Sequence, residues 1–482
     1  MEANKMSTSN LIGRETECQR LSACMAENKA QLVVIYGRRR VGKTYLIEEY
    51  FDGDFTFRMT GEFNAPKALQ LKNFANELSI QLGMHAKTPG DWKEAFFALR
   101  NYLSSLPADQ KQVVFFDEMP WMDTPNSRFL AEFEYFWNSW GSRQHNLVFI
   151  VCGSASSWLI DNIEHNKGGL FNRLTCKIYV EPFNLYHTEK YLLSRNINWP
   201  RHDICECYMI MGGIPYYLSL LNPQLSYTEN IDFIFFRKRS ELWDEFHHLY
   251  HTLFSGNEGY IKIVEALSRK HIGLMRSEIA EATGLAQNGA MTKMLKFLED
   301  SGFIRLNSFY GNKKKNTLYQ LADYYTLFYF RFLKDRRKKD EKYWTNSLHL
   351  PEHHAWAGFT FELLCMDHIR QIKKKLEIGG VLSDQSTWFL RGDEIHDGAQ
   401  IDLLIERNDR VINICEIKFS NDLFTIDKDY DRILRHKIES FRQETKTKNN
   451  LMLTLITTYG IKKNMYSGSV QREIIMEDLF ER

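Results

Sequence analysis

Short apolar runs and longer helical periods alternate along the first half of the chain. LVVIYG (32–37), FTFRMTG (55–61), KQVVFFDE (111–118), NLVFIVCGS (146–154) and KIYVEPF (177–183) are rich in β-branched and aromatic residues and read as strands. Between them, residues 11–28, 45–51, 66–82 and 91–105 carry apolar residues at helical spacing. This alternation predicts an α/β sheet domain. The pattern changes after residue 255. YIKIVEALSRK, RSEIAEATGL and NGAMTKMLKFLEDSG predict three helices, punctuated by Gly and Asn. FIRLNSFYGNKKKNTLYQL then predicts two alternating strands around a Gly-Asn-Lys-Lys-Lys tip. It changes again near 350: an amphipathic helix over 357–378, strands STWFLR, IDLLIER and VINICEIKF, a polar helix over 428–445, and the apolar strand LMLTLIT.

A chain of 482 residues exceeds one ordinary core, so two to four domains are expected. With 44% hydrophobic and 14% aromatic residues it is expected to be folded, apart from a loose tail at 1–9. The net charge of +1 gives no global argument for nucleic acid, which leaves only local patches. The eight cysteines are scattered, and Cys205 with Cys207 lacks zinc-ligand spacing. No signal peptide and no apolar run of the ~18 residues that span a bilayer is present, so a cytoplasmic protein with no membrane partner is expected.

The candidate chemistry begins at 37–44. Gly37, Arg38, Arg39, Arg40, Val41, Gly42, Lys43 and Thr44 form G-x-x-x-x-G-K-S/T between a strand and a helix, the context this phosphate loop requires. Glycines let the backbone wrap its N–H groups around phosphate oxygens. Lys43 reaches the β/γ-phosphates, Thr44 ligates Mg²⁺, and the helix N-terminus adds its dipole. A strand ending in Asp117-Glu118 follows at the distance where such enzymes place a Mg²⁺-shell acid and a water-polarising glutamate. Ser154, at the tip of the next strand, is either a γ-phosphate sensor or a plain turn residue. Arg173 is either a finger completing a neighbour's site or a surface arginine.

IGRE, GRRRVGKT, VVFFDE, CGSASSW, FNRLT, EPF and MGGIPYYL, in that order, resemble the archaeal-type ATPase family, within the STAND branch of AAA-related P-loop ATPases. The resemblance spans roughly 10–250. It implies a doubly wound sheet with an extra strand between the two nucleotide-binding strands. A small helical lid would follow, its G-G-I-P segment at 212–215 approaching the nucleotide.

Three helices and a basic hairpin describe a winged helix-turn-helix over 256–340, with Thr292, Lys293 and Lys296 on its recognition-type helix and lysines 313–315 on the wing. These lysines either contact DNA phosphates or are solvated, the module then serving for packing. The run KDRRKK at 334–339 reads as a solvated face or linker. In the last stretch, helix, three strands, helix, strand is the core order of restriction-endonuclease-like folds. Asp402 begins one strand, and Glu416 and Lys418 share a face of the next because strand side chains alternate. This resembles the PD-(D/E)XK nuclease superfamily, with Ile401 standing where the family has proline. The resemblance implies that Asp402, Glu416 and the Ile417 carbonyl bind Mg²⁺, that Lys418 orients the attacking water, and that Glu362 is a supporting acid. Members of this fold either cleave or only bind.

His247, His248 and His251 read as a polar helix face, and His353 with His354 as part of a connecting loop. The aromatic run YYTLFYFRF (324–332) reads as core packing rather than a base-stacking surface. The expected fold class is therefore α/β, in four parts: a P-loop NTPase core (1–185), a helical lid (186–255), the winged helix (256–340) and the nuclease-like domain (350–482). The expected activity is ATP hydrolysis with Mg²⁺, as a switch over a DNA-directed effector. The alternatives are a regulatory ATPase whose last domain only grips DNA or a protein, and a mechanical ATPase such as a translocase or loader. A homo-oligomer is left open by Arg173.

Overall fold

The computed structural model describes residues 11–482 apart from 155, 165–168, 171, 254–257, 312–316, 336–339 and 393–397. The side chains of 156, 157, 164 and 251–253 also lie outside the description. The tail at 1–9, the wing lysines 313–315, residues 336–339 of the basic run and the His251 ring thus fall beyond the described residues. The chain divides into two compact units, Met1–Pro182 with Lys296–Gly302, and Phe183–Leu295 with Phe303–Arg482.

The first unit is built on strands β1 (Gln31–Tyr36), β2 (Phe57–Thr60), β3 (Gln112–Asp117), β4 (Leu147–Gly153) and β5 (Cys176–Tyr179). All pairings are parallel and the order is β2-β3-β4-β1-β5, so β4 lies between β1 and β3. Strands β3 and β4 are buried along their whole length, which is why their sequences are continuous apolar runs rather than alternating ones. Phe149 on β4 packs at 5.0 Å from Phe116 and 5.1 Å from Phe133, ring centre to ring centre. Phe133 belongs to the helix Phe129–Ser139, which the periodicity did not single out. Parallel pairing brings the C-terminal tips of β1, β3 and β4 to one edge, where open α/β sheets bind ligands. The first helix runs over Glu15–Ala26, shorter than the 11–28 expected.

The second unit holds two sheets. Strands β6 (Leu274–Met275), β7 (Ile304–Asn307) and β8 (Leu318–Leu321) pair antiparallel in the order β6-β8-β7, alongside the helices Glu258–Ser268 and Arg276–Thr283. Strands β9 (Ser383–Leu390), β10 (Ala399–Arg407), β11 (Val411–Lys418), β12 (Asn450–Thr457) and β13 (Arg472–Ile475) form a mixed sheet in the order β13-β12-β11-β10-β9. The meander β9-β10-β11 is antiparallel. The helix Lys428–Thr445 then carries the chain across to β12, which is parallel to β11. That helix seats Leu434 and Phe441 against Ile401, Leu404, Ile412 and Ile414. Strand β13 extends the sheet beyond the elements expected.

Two expectations need correction. The amphipathic helix over 357–378 is two helices, Pro351–Asp367 and Ile369–Lys375, and the first is not amphipathic. It buries Trp356, Ala357, Phe359, Phe361, Leu364 and Cys365 around its circumference because it packs against both β11 and the helix Arg201–Met211. The break falls at His368, whose Nε2 accepts the Leu185 backbone N–H at 2.9 Å; burial holds this imidazole below its ordinary pKa. His353 and His354 lie in a helical first turn opened by Pro351, not in a loop. His353 is buried with Nε2 3.2 Å from Glu206. His247 and His248 are exposed on the helix Glu245–Leu253. In the aromatic run, Tyr324, Tyr325, Phe328 and Phe332 are core residues, whereas Tyr329 and Phe330 are half-buried. Among the described residues no helix is long and apolar enough to cross a membrane.

Candidate functional site

The phosphate loop leaves β1 at Tyr36 and is shaped by two backbone positions. Gly37 has φ +145°, and a Cβ there would fall 2.4 Å from the Val180 carbonyl oxygen, so only glycine fits. Gly42, at φ 86°, turns the chain into the helix Lys43–Phe51. Lys43 is buried, and its Nζ donates to the carbonyls of Gly37 at 3.0 Å and Arg38 at 2.9 Å. The ammonium therefore lies inside the loop, where phosphate oxygens would compete for it. Arg38 and Val41 are buried, and Arg39 and Arg40 half-buried. The I-G-R-E box has a role that its sequence did not disclose. Arg14 is buried, and its Nη2 donates to the Val41 carbonyl at 2.8 Å, bracing the loop from behind.

At the adjoining tips, the Thr44 hydroxyl donates to Asp117 Oδ2 at 2.9 Å. A hydroxyl and a carboxylate so placed beside a polyphosphate cradle are the donor set Mg²⁺ takes. Glu118 has φ 46° and ψ 44°, a left-handed conformation that is strained for a non-glycine residue. Its Oε2 accepts from the Ser154 backbone N–H at 2.9 Å and the Ser154 hydroxyl at 3.0 Å. Burial pushes the Glu118 carboxyl above the usual range, against the pull of Lys43. Ser154 thus holds Glu118. Arg173 is exposed, and among the described residues it makes no hydrogen bond or ion pair with Lys43, Asp117 or Glu118.

A second cluster lies on the mixed sheet. The pairing of β10 with β9 shifts register between Ile401 and Leu404, a bulge that contains Asp402. Bulges of this kind re-aim side chains beside functional sites. Asp402 Oδ2 accepts the Ile417 N–H at 3.1 Å, across from Glu416. Glu416 is buried, and both its oxygens are engaged. Lys418 Nζ is 3.0 Å from Oε1, the Tyr430 hydroxyl donates to Oε1 at 2.6 Å, and Lys437 Nζ donates to Oε2 at 2.6 Å. Burial opposes ionisation of Glu416, but Lys418 and Lys437 hold it below the usual carboxylate range. Burial, then Glu416, pushes Asp402 up to about 6, and burial, then Asp402, pushes Glu362 up to about 8. The four predicted residues therefore lie within one electrostatic cluster, short of positive charge at Asp402 and Glu362.

Tyr430 and Lys437 were not among the expected residues. Their only signal is a seven-residue spacing that puts them on one face of the helix Lys428–Thr445. Two carboxylates and the Ile417 carbonyl are oxygen donors suited to Mg²⁺, which often takes one or two carboxylates and keeps its waters. Among the described residues, however, no group of three or more His, Cys, Asp or Glu side chains stands where it could hold a metal ion. A cation shared between Asp402 and Glu416 would compete with Lys418, Lys437 and Tyr430 for the Glu416 oxygens. On the predicted recognition helix, Thr292 and Lys293 are exposed, whereas Lys296 Nζ pairs with Asp300 at 2.7 Å.

A parallel sheet with a phosphate loop after β1 and acids at the end of β3 is the arrangement of P-loop ATPases. Residues 11–221 match the model of an ATPase domain found predominantly in Archaea. An uncharacterized protein of Methanocaldococcus jannaschii is 25% identical over 429 residues, covering 88% of this chain and 90% of that one. An uncharacterized ATP-binding protein of the same organism is 46% identical over 41 residues, 8% of this chain and 70% of that one. The Walker-type ATPase of Pyrococcus abyssi is a distant structural likeness, with TM-score 0.48 and 18% identity over 69% of this chain and 99% of its own.

The Arg14 brace leads to a prediction. Arg14→Met removes a charged donor from a buried carbonyl, a loss of about 1.5–3 kcal/mol. If it falls on the loop, titration with a fluorescent ATP analogue will show affinity reduced about tenfold or more. Unchanged affinity would mean the loop holds its shape without this contact.

Proposed function

We propose that this protein is an ATP-binding and ATP-hydrolysing switch that controls a DNA-directed, Mg²⁺-dependent nuclease-like effector in its C-terminal part. The observation that carries the ATPase reading is the 2.9 Å hydrogen bond between Thr44 and Asp117, next to a loop whose lysine already lies inside it. Lys43 and the loop N–H groups bind and orient the phosphates, and Thr44 and Asp117 hold Mg²⁺, which neutralises charge developing on them. Glu118 polarises the attacking water once its carboxylate is released from Ser154, so Ser154 is a positioning residue for Glu118. The segment 186–255 serves as the lid and 256–340 as a winged helix that docks or transmits. Arg173, exposed, is available to a neighbouring copy.

The effector reading rests on Asp402, Glu416 and Lys418 converging through a β-bulge, with Glu362 in the same electrostatic field. Asp402 and Glu416 would hold Mg²⁺ and Lys418 would orient the water. A binding-only domain is the second reading. It is favoured by the commitment of both Glu416 oxygens to Lys418, Lys437 and Tyr430.

Two measurements check these roles. Lys43→Ala should abolish ATP binding, whereas Glu118→Gln should keep it and reduce turnover about a hundredfold or more. Turnover that survives both changes overturns the ATPase assignment. Separately, supercoiled plasmid incubated with Mg²⁺ or Mn²⁺ should be nicked by the native protein and left intact by Asp402→Ala and Lys418→Ala. Equal nicking by all three indicates a contaminant. Shifted but uncut plasmid selects the binding-only reading.

A further inference from the structure

Away from both clusters, the second unit contains a cavity of about 410 Å³ whose walls include His271, Phe330, Trp356 and Phe359. That volume is in the range of ordinary small-ligand sites. The walls are aromatic. The His271 ring packs 4.0 Å from that of Phe359, and Phe330 is one of the few members of the 324–332 run that the core leaves half-open. The rim is cationic: Arg269, Arg331 and Lys334 line it beside a single lining carboxylate, Glu265, and Arg331 pairs with Glu352 at 3.2 Å. Arg269 and Lys334 both lean on Glu265, at 2.7 Å and 2.6 Å. Lys334 Nζ also stands 5.6 Å over the Phe330 ring. Trp356, only 4% exposed, adds a further aromatic wall.

Aromatic faces and a surplus of cations together select a ligand with an aromatic ring and an anionic group. We propose that this cavity binds a nucleotide unit, base against the aromatic walls and phosphate at Arg331 and Lys334, as a second nucleotide site independent of the phosphate loop. Base–aromatic stacking contributes about 1–3 kcal/mol per base and is tolerant of base identity. The guanidinium of Arg331 suits phosphate geometry. The same chemistry is offered by a free mononucleotide and by one residue of a single strand.

The test uses the full chain carrying Lys43→Ala, so that the phosphate loop contributes nothing to the signal. Equilibrium dialysis with radiolabelled deoxyadenylate and fluorescence anisotropy with a short single-stranded oligodeoxynucleotide form its two arms. Saturation by deoxyadenylate identifies a free-nucleotide site, and saturation by the strand alone identifies a strand-binding one. In either case Phe330→Ala and Lys334→Ala should each weaken binding about tenfold. Phe330→Trp, which keeps an aromatic face, should restore it, and the exposed position of Lys334 keeps that variant folded, as a thermal melt will verify. No saturation in either arm overturns the proposal. So does binding that is indifferent to these substitutions.

Discussion

A charge taken out of water must find a partner, and both chemical clusters of this protein are organised by that requirement. Lys43 is buried in the phosphate loop and is held by the carbonyls of Gly37 and Arg38. Glu118 is half-buried just past β3 and is held by the amide and hydroxyl of Ser154. Glu416 is buried on β11 and is held by two lysines and a tyrosine. In each case the protein supplies the compensation from its own atoms. A ligand would compete for each group: phosphate for Lys43, the attacking water for Glu118, a divalent cation for Glu416.

That exchange gives the switch reading its physical content. A site whose charges are internally satisfied is stable without ligand and must break contacts to work, so its two states differ in defined hydrogen bonds. The strained backbone of Glu118 belongs to the same logic, since left-handed conformations in non-glycine residues persist where surrounding structure over-determines them. At the other end of the chain, burial and then Glu416 drive Asp402 toward protonation, and burial and then Asp402 do the same to Glu362. A cation there would relieve the crowding of three carboxyl groups, which is the electrostatic argument for a metal at a cluster that presents no preformed three-ligand cage among the described residues.

Much of this was legible in the chain, for local reasons. The phosphate loop is a contiguous motif, and Asp117 with Glu118 follows an apolar strand, so spacing alone located them. Asp402, Glu416 and Lys418 came from strand alternation, and the polar helix ended where expected, at Lys428–Thr445. What escaped depends on contacts distant in sequence. Lys437 and Tyr430 reach Glu416 only because the crossover helix folds back over β11, and Arg14 reaches Val41 across 27 residues of chain. Ser154 was weighed against phosphate, and its partner proved to be Glu118. The helix Pro351–Asp367 misled for a different reason. Its pattern was read as one-sided, whereas packing on both β11 and the helix Arg201–Met211 demands apolar residues nearly all round.

The central claim is that nucleotide state at the loop governs the C-terminal cluster. Its direct measurement is the rate of metal-dependent plasmid cleavage by the full chain with ATP, with a non-hydrolysable ATP analogue and with ADP. The account predicts rates that differ about fivefold or more between nucleotide states, with the difference erased by Lys43→Ala. Equal rates in all three nucleotides, or cleavage indifferent to Lys43, would contradict it.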